Sequence, residues 1–380
     1  MKHRVMTTCW IATALAVTVA TPALGKETPP FTFKLGGQVM YDAAWYQGDG
    51  ALKTQTEGYT HDTGFRRVRL SARGSVYGDW NYNVTLSFAD TLNNISDADP
   101  AGIRQAFVSY SGWKGIKVKA GQFIEPFGLE SSTSSRITTF MERGLPYAFS
   151  PGRSLGASVS TAPVKGLYME AGIFKEDLHS AGNLDQAFTG RIAYAPIDTK
   201  GWLVHLGAGA SHRLPGDGTV RYRTPPEADM APNWFSSGTI RNVDDILLTG
   251  LEAATVIGPF SLQGEYMRSR VDRNNGRPER NLDGYYVYAS WFLTGESRPY
   301  RDGRFTAIDP QGRWGAWELA ARNSAIDDGN GHRLNDITLG LNWYINQHLR
   351  LMANYVRAVY DRVSAQGNAD IFQVRGQVDF

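Results

Sequence analysis

A group of closely spaced arginines is the strongest chemical signal in the sequence. Arg66, Arg67 and Arg69 lie in the stretch FRRVRLSARGSV (residues 65–76). Arginine stays charged at any physiological pH, and its planar guanidinium matches the geometry of phosphate and carboxylate groups. These residues therefore indicate a site that binds anions.

A second stretch has the same chemistry without the pattern of a strand. The segment GLESSTSSRITTFMERGLPYAFSPGRSLG contains Arg136 and Arg143, and its run of hydroxyl residues includes Ser134 and Ser135. Connections of this length are uncommon in compact proteins and are usually functional or disordered. Hydroxyls and cations are the groups that replace the hydration shell of a passing anion. Alternatively, the serines only cap or turn the backbone.

Alternation with period two predicts strands on both sides of this segment and along most of the chain. In WNYNVTLSF (residues 80–88) apolar and polar residues alternate, and FQVRGQVDF (residues 372–380) repeats the pattern. In the first arginine stretch the same alternation places Leu70 on one face and Arg67 and Arg69 on the other. An arginine facing lipid at mid-bilayer would cost roughly 2–4 kcal/mol, so the arginines are predicted to face the inside.

These strands favour a membrane barrel over a soluble protein. After the N-terminal region no stretch approaches 18 uninterrupted apolar residues, so a helical span is not predicted. Tyr and Trp lie at predicted strand ends, as in interfacial girdles, and the chain ends on Phe380 in phase with the last strand. About 22 residues per strand and connection give about 16 antiparallel strands. A soluble, secreted all-β carbohydrate-binding protein stays an alternative, supported only by the 10 Trp and 18 Tyr.

The first residues have the organisation of a secretory signal peptide. Lys2 and Arg4 precede an apolar run, and Ala23 and Gly25 occupy the positions that a signal peptidase reads. We predict a signal peptide over residues 1–25 and one barrel domain over residues 26–380. The single cysteine, Cys9, lies in the signal peptide, so disulfides and thiolate metal sites are not predicted for the mature chain.

Charge and motif content argue against several other functions. Removing Lys2 and Arg4 leaves 37 basic residues against 37 acidic ones, a balance that does not fit a nucleic-acid binder. The seven histidines have no metal-ligand spacing, and the sequence lacks a P-loop or a nucleophile elbow. We therefore expect neither an enzyme nor a protein with a cofactor.

Several blocks of the sequence resemble the phosphate-selective porin O and P family of Gram-negative outer membranes. Eight such blocks follow one another between residues 31 and 380: FRRVRLSARGSVYGDWNY, GQFIEPFGLESSTSSRITTFMERGLP, SPGRSLG, GPFSLQGEYM, YYVYASWFLTGESRPY, GAWELAARNS, TLGLNWYINQHLRLMANYV and QVRGQVDF. The resemblance implies a homotrimer of 16-stranded antiparallel transmembrane β-barrels in the outer membrane. It also implies that residues 126 to 153 fold inward as a constriction loop, and that the pore passes small anions such as phosphate or polyphosphate.

The resemblance also implies roles for individual residues. The central anion site of the family uses paired arginines that match Arg66 and Arg67, loop serines that match Ser134 and Ser135, and a loop arginine that matches Arg143.

Three positions depart from the phosphate-selective pattern. Ser131 stands where those members have a lysine, Arg104 where they have an acid, and Arg69 where they have a tyrosine. We include Arg69, Arg104 and Arg136 in the predicted constriction. The departures keep open a general anion or organic-acid porin without phosphate specificity.

Arginines outside the constriction extend the predicted anion path. Arg221 and Arg223 resemble an extracellular arginine funnel, which would concentrate anions at the mouth. Binding of external arginines to lipopolysaccharide phosphates is an equally reasonable interpretation, so lipopolysaccharide is an expected partner.

Overall fold

The computed structural model describes residues 30–57, 61–93, 102–175, 186–363 and 365–380. The predicted signal peptide lies outside these ranges. Sixteen antiparallel strands form a closed barrel in which each strand pairs with the next one along the chain and the last pairs with the first. The strands in chain order are β1 (Lys34–Gly48), β2 (His61–Val76), β3 (Trp80–Ser87), β4 (Gly102–Trp113), β5 (Ile116–Ile124), β6 (Arg153–Thr161), β7 (Leu167–Lys175), β8 (Gln186–Thr199), β9 (Trp202–Leu214), β10 (Thr219–Val220), β11 (Arg223–Thr224), β12 (Phe235–Ser236), β13 (Ile240–Arg241), β14 (Val243–Ile257), β15 (Phe260–Arg273), β16 (Arg280–Phe292), β17 (Tyr300–Arg301), β18 (Arg304–Phe305), β19 (Ala316–Asp327), β20 (His332–Tyr344), β21 (Leu349–Arg362) and β22 (Ala365–Asp379).

Six of these strands, β10 to β13 with β17 and β18, pair only with each other in two-residue ladders and stand apart from the barrel sheet. Helical segments are short: α1 (Gly50–Glu57), α2 (Ala89–Asn93), α3 (Leu129–Ser132) and a 3-10 helix (Leu145–Phe149). None of the helices in the described ranges is long and apolar enough to cross a membrane.

The alternation in the sequence appears as an outer and an inner barrel surface. On β22, Phe372 and Val378 are about half exposed, whereas Gln373, Arg375 and Gln377 are buried. Successive residues of a strand point to opposite faces, so the apolar set faces outward and the polar set faces the interior. A soluble protein would bury the apolar set and expose the polar set. The opposite arrangement on β22 is typical of a transmembrane barrel and confirms the predicted fold.

Connections at the two ends of the barrel differ in length. At the end that holds the first and last strand termini, most connections have two to five residues. Short turns mark the periplasmic end of such barrels. The connection between β16 and β19, residues 293–315, is at this same end but is much longer. At the opposite, extracellular end the long connections include residues 125–152 between β5 and β6, and residues 215–242 between β9 and β14.

Buried apolar side chains lie inside the barrel, where the long connections meet the wall. Phe127, Leu145 and Phe149 of the β5–β6 connection belong to one cluster with wall residues such as Met267 and Ile326. The interior of the barrel is therefore packed where the long connections meet the wall.

Candidate anion-binding site

The β5–β6 connection, residues 125–152, reaches strands on the far side of the barrel. The backbone N–H of Leu145 donates to Ser324 Oγ on β19 at 2.7 Å. Arg350 on β21 donates to the carbonyl oxygen of Thr138 at 2.8 Å. Because β19 and β21 are distant from β5 and β6 in the sheet order, the connection must run through the barrel interior.

Two glycines let this connection approach the wall closely. Gly128 has φ +76°, and a Cβ there would lie 2.7 Å from Glu265 Oε2. Next to it, Glu265 accepts hydrogen bonds from the backbone N–H groups of Leu129 and Glu130 at 2.8 and 2.7 Å. At Gly144 a Cβ would lie 2.8 Å from the Tyr286 ring. Side chains at either position would displace the connection.

Glu142 fixes the connection to the strands that carry the arginine pair. Its carboxylate accepts two hydrogen bonds of 2.8 Å from Arg66 and one of 2.7 Å from Arg375. Burial alone would raise the pKa of Glu142, but the Arg66 charge and hydrogen bond, followed by the Arg375 charge, hold it well below its usual range. Arg66 is also 3.0 Å from Asp229. Its charge is therefore compensated by two carboxylates.

A β-bulge explains how adjacent arginines both reach the interior. The β1–β2 ladder pairs Met40 with Arg67 and then Tyr41 with Phe65, so Arg66 has no cross-strand partner. An inserted residue breaks the alternation of inward and outward side chains, so two consecutive side chains can face the interior. Arg67 is only 5% exposed, and its one hydrogen-bonding contact in the described residues is a 3.8 Å approach to Met40 Sδ.

A second bulge lies at Arg104. The β3–β4 ladder pairs Thr85 with Gln105 and then Leu86 with Ile103, so Arg104 is the unpaired residue. Its side chain lines an interior cavity of about 500 Å³. The bulge in the β1–β2 ladder and the bulge in the β3–β4 ladder therefore each occur at a predicted site arginine.

The cavity beside the connection is lined by cations and hydroxyls. Seven arginines contribute to it: Arg69, Arg73, Arg104, Arg136, Arg143, Arg153 and Arg304. The hydroxyl residues Ser131, Ser132, Thr133, Ser134 and Ser135 form another part of the lining. No aspartate or glutamate is among the described lining residues, so the cavity concentrates positive charge.

In the described residues six of these seven guanidinium groups have no acidic partner, and Arg136 is the exception at 3.4 Å from Asp379. Among the described residues, Arg69 donates only to Gln38 Oε1 at 3.3 Å and to Ser135 Oγ at 3.2 Å. Within the described part of the chain, the side chains of Arg104 and Arg153 form no hydrogen bond or ion pair, and Arg153 Nε is buried without a partner. A buried charge without a partner is costly, and an anion in the cavity would remove that cost.

The contacts that fix the Arg143 side chain come from the β5–β6 connection, to which Arg143 itself belongs. Its guanidinium donates to the carbonyl oxygens of Glu130 and Thr133 at 3.1 and 3.0 Å and lies over the Tyr147 ring. Burial would raise the pKa of Tyr147, but the charges of Arg143 and Arg153 outweigh it and lower that pKa. The two guanidinium charges therefore place the Tyr147 phenol in a positive environment.

Apart from Asp379, which lies 3.4 Å from Arg136, the interior acids named here are bound to groups outside the cavity. Asp42 pairs with Arg375 at 2.6 Å, and Glu252 pairs with Arg191 at 2.7 Å. Glu318 accepts from Asn342 and Tyr344. Pairing of the cavity arginines with wall acids, the simpler interpretation of lumenal arginines, is therefore absent for Arg69 and Arg104 in the described residues.

The structure brings together six of the predicted site residues and separates the others. The cavity includes Arg69, Arg104, Ser134, Ser135, Arg136 and Arg143. Arg66 and Arg67 are not among its lining residues. Arg221 and Arg223 lie exposed on the connection between β9 and β14, and Arg221 donates to Ser236 Oγ at 3.2 Å.

Ser134 and Ser135 differ in what they contact. Ser134 Oγ accepts from the backbone N–H of Arg136 at 3.4 Å, as a turn residue does. Ser135 Oγ instead accepts from Arg69. The departure at Ser131 is also explained, because its hydroxyl donates to backbone carbonyls of Phe127 and Gly128.

Sequence reasoning did not include three cavity arginines in the site: Arg73, Arg153 and Arg304. Arg73 and Arg153 lie at strand positions whose alternation allows an inward side chain. Arg304 lies in the connection of residues 293–315. The length of that connection, at the end where turns are short, is the signal that would have found it.

Comparisons with known proteins agree with this architecture. The family described as "Phosphate-selective porin O and P" matches residues 33–380. Porin O of Pseudomonas aeruginosa is 28% identical over 381 residues, which cover 90% of this chain and 86% of that protein. The comparisons do not favour the soluble carbohydrate-binding alternative.

Solved structures show the same fold at low sequence identity. An anion-selective porin from Comamonas acidovorans has a TM-score of 0.59 at 17% identity, covering 92% of this chain and 100% of that one. A trimer form of OmpT from Vibrio cholerae has a TM-score of 0.57 at 11% identity, covering 92% and 99%. These are channel proteins, and the chain is an outer-membrane β-barrel. On the match over residues 33–380, the chain belongs to the phosphate-selective porin O and P family.

Proposed function

We propose that the chain forms a pore through which small anions, phosphate or polyphosphate, diffuse across the outer membrane. The observation that carries this proposal is the cavity lined by seven arginines and eight hydroxyl residues with no carboxylate among its described lining. An anion that enters exchanges water for guanidinium and hydroxyl donors, which are strong hydrogen-bond donors to phosphate. The pore needs no catalytic group or cofactor for this role.

In this proposal, the constriction predicted over residues 126 to 153 corresponds to the connection of residues 125–152. The residues that contact the anion are Arg69, Arg104, Arg136, Arg143, Ser134 and Ser135. The hydrogen bonds from this connection to β19 and β21 support the first part. Arg66 and Arg67 stand beside this site, where Arg66 holds the loop through Glu142. Arg221 and Arg223 act earlier, as exposed charges that attract anions to the extracellular mouth.

A general porin for organic acids is the second candidate. The cavity volume of about 500 Å³ lies in the range that accommodates small organic molecules. Arg69 and Arg104 both stand where phosphate-selective members of the family are expected to have an uncharged or acidic residue. Added positive charge favours any carboxylate as well as phosphate.

The proposal includes processing and assembly. Cleavage after Gly25 would release a mature chain of residues 26–380, and Edman sequencing of the purified protein would test the site. The trimer form of the OmpT neighbour supports a homotrimer, which light scattering in detergent would test. Lipopolysaccharide is the proposed lipid partner, and its retention after purification would be measured by phosphate analysis.

Ion selectivity in planar bilayers tests the central proposal. The reversal potential in a potassium chloride gradient gives the permeability ratio, and added phosphate that reduces the chloride current shows binding. Phosphate block at concentrations where succinate has no effect would support the phosphate porin. Equal block by both would support the organic-acid candidate, and cation selectivity would contradict both.

A further inference from the structure

The long periplasmic-end connection, residues 293–315, enters the barrel from the end opposite to the entry of the β5–β6 connection. Its hairpin, β17 and β18, is fixed to the wall at several points. The carbonyl oxygen of Gly303 accepts from Arg191 at 2.7 Å, and the Tyr300 hydroxyl lies 2.6 Å from His205 Nδ1. The hairpin is therefore held inside the barrel by the wall.

The hairpin also contacts the β5–β6 connection, which is the proposed constriction and is called the constriction segment below. Phe305 is 3% exposed and belongs to the same buried cluster as Leu129 of α3. The Arg298 guanidinium lies over the Phe305 ring, 3.6 Å from its centroid. The segments that enter from the two ends thus pack against each other.

Arg304 precedes Phe305, and its side chain is exposed to the cavity that the predicted anion residues line. The Arg304 side chain forms no hydrogen bond or ion pair with any part of the chain that the structure describes. A cation without a structural partner, carried by an anchored hairpin, is available to a passing anion. It stands on the periplasmic side of the site because its connection is attached at that end.

We propose that Arg304 is a specificity-determining residue of the anion path, supplied from the periplasmic end, which holds the anion jointly with the arginines of the wall and of the constriction. This proposal rests on the proposed anion-porin function and adds a residue from a second inward segment to it. An anion leaving the constriction toward the periplasm would pass Arg304 while still in contact with the central arginines.

The test compares Arg304→Gln with Arg301→Gln. These residues pair across the same hairpin, and either substitution removes one positive charge. The Arg301 side chain is 79% exposed and lies 3.8 Å from Asp302, and Arg301 is not among the described cavity residues. For wild type and each variant, the concentration of inorganic phosphate that halves the chloride current is measured in bilayers.

We expect Arg304→Gln to raise this concentration roughly three- to ten-fold, as removal of a unit charge about 7 Å from a divalent anion in water predicts. Arg301→Gln should leave it nearly unchanged. Equal shifts in both variants would mean that any positive charge near the pore has the same effect, and this would overturn the proposal. A half-blocking phosphate concentration in Arg304→Gln equal to that of wild type would also overturn it. If Arg104→Gln weakens the block while Arg304→Gln does not, only this inference fails. If wild type shows no block, the phosphate proposal fails with it.

Discussion

The Arg66 guanidinium and the Glu142 carboxylate form a bidentate ion pair, with Nε and Nη2 each 2.8 Å from a carboxylate oxygen. This pair joins a wall strand to the constriction segment. It also divides the arginines of the interior into two groups. Paired arginines such as Arg66 and Arg375 hold the segment in place, and we propose that unpaired ones such as Arg104 bind the anion.

Removing the carboxylate of this pair should weaken the fold. Glu142→Gln leaves Arg66 and Arg375 with less compensation in the interior, and breaking a buried pair costs about 3–5 kcal/mol. We expect the heat-induced change in gel mobility to occur at a lower temperature than in wild type. Glu279→Gln, which removes an exposed partner of Arg270, is the control and should melt like wild type. A wild-type transition in Glu142→Gln would show that the pair does not fix the segment.

Removing an unpaired arginine should weaken phosphate binding without lowering the stability of the barrel. Arg104→Gln deletes a charge that has no partner among the described residues and lies near other arginines, so stability should be unchanged or increased. Phosphate binding should weaken by roughly five- to ten-fold, because a charge-assisted contact is lost. Block of the chloride current measures the binding.

The matched variant for Arg104→Gln is Arg191→Gln. Arg191 is bound to Glu252 and is not in the cavity lining, so this substitution should lower the melting temperature. If Arg104→Gln destabilises the barrel as Arg191→Gln does, Arg104 has a structural role and the division into two groups is wrong.

A larger residue at Gly144 should displace the constriction segment. Gly144→Ala places a Cβ 2.8 Å from the Tyr286 ring, which forces a shift that overpacking data put at about 1–3 kcal/mol. Single-channel conductance should rise and phosphate block should weaken, because the segment moves from its position. Gly102→Ala, where nothing lies within 4 Å, should conduct like wild type. Unchanged conductance in Gly144→Ala would argue against a constriction formed by this segment.

Anion selectivity should depend on pH through Asp229. Burial, followed by the charge of Glu142, raises the pKa of Asp229 to about 6 against the opposing charge of Arg66. Above this pH the ionised carboxylate cancels part of the Arg66 charge, and below it the neutral acid does not. The anion-to-cation permeability ratio should therefore increase as the pH falls from about 7.5 to about 5.

Asp229→Asn is the control for this dependence. It should show the higher ratio at both pH values, because its side chain never ionises. Glu142 stays ionised over this range, since its pKa is held well below the usual value. An equally large pH step in Asp229→Asn would assign the titration to another group.

Alternation in the sequence was enough to predict the barrel and the inward face of β2. The period of two depends only on backbone geometry, and lipid penalises an outward charge, so Arg69 could face only the interior. The bulges at Arg66 and Arg104 could not be predicted this way, because one inserted residue breaks the alternation on which the argument depends.

The sequence also could not predict which interior arginines are paired with carboxylates and which are unpaired. Which of the interior carboxylates meets which guanidinium depends on contacts between strands that are far apart in the chain, as for Asp42 and Arg375. Arg304 was missed for a related reason. It reaches the cavity from a connection that periodicity cannot describe, since that connection has no long strand of its own.

The reversal potential of the wild-type channel in a chloride gradient, recorded before and after addition of phosphate, tests the central claim most directly. The unpaired arginines around the cavity predict strong anion selectivity and a chloride current that phosphate reduces, with weaker block in Arg69→Gln. Cation selectivity, or an anion current that phosphate leaves unchanged in wild type and variant alike, would contradict an anion site in this cavity.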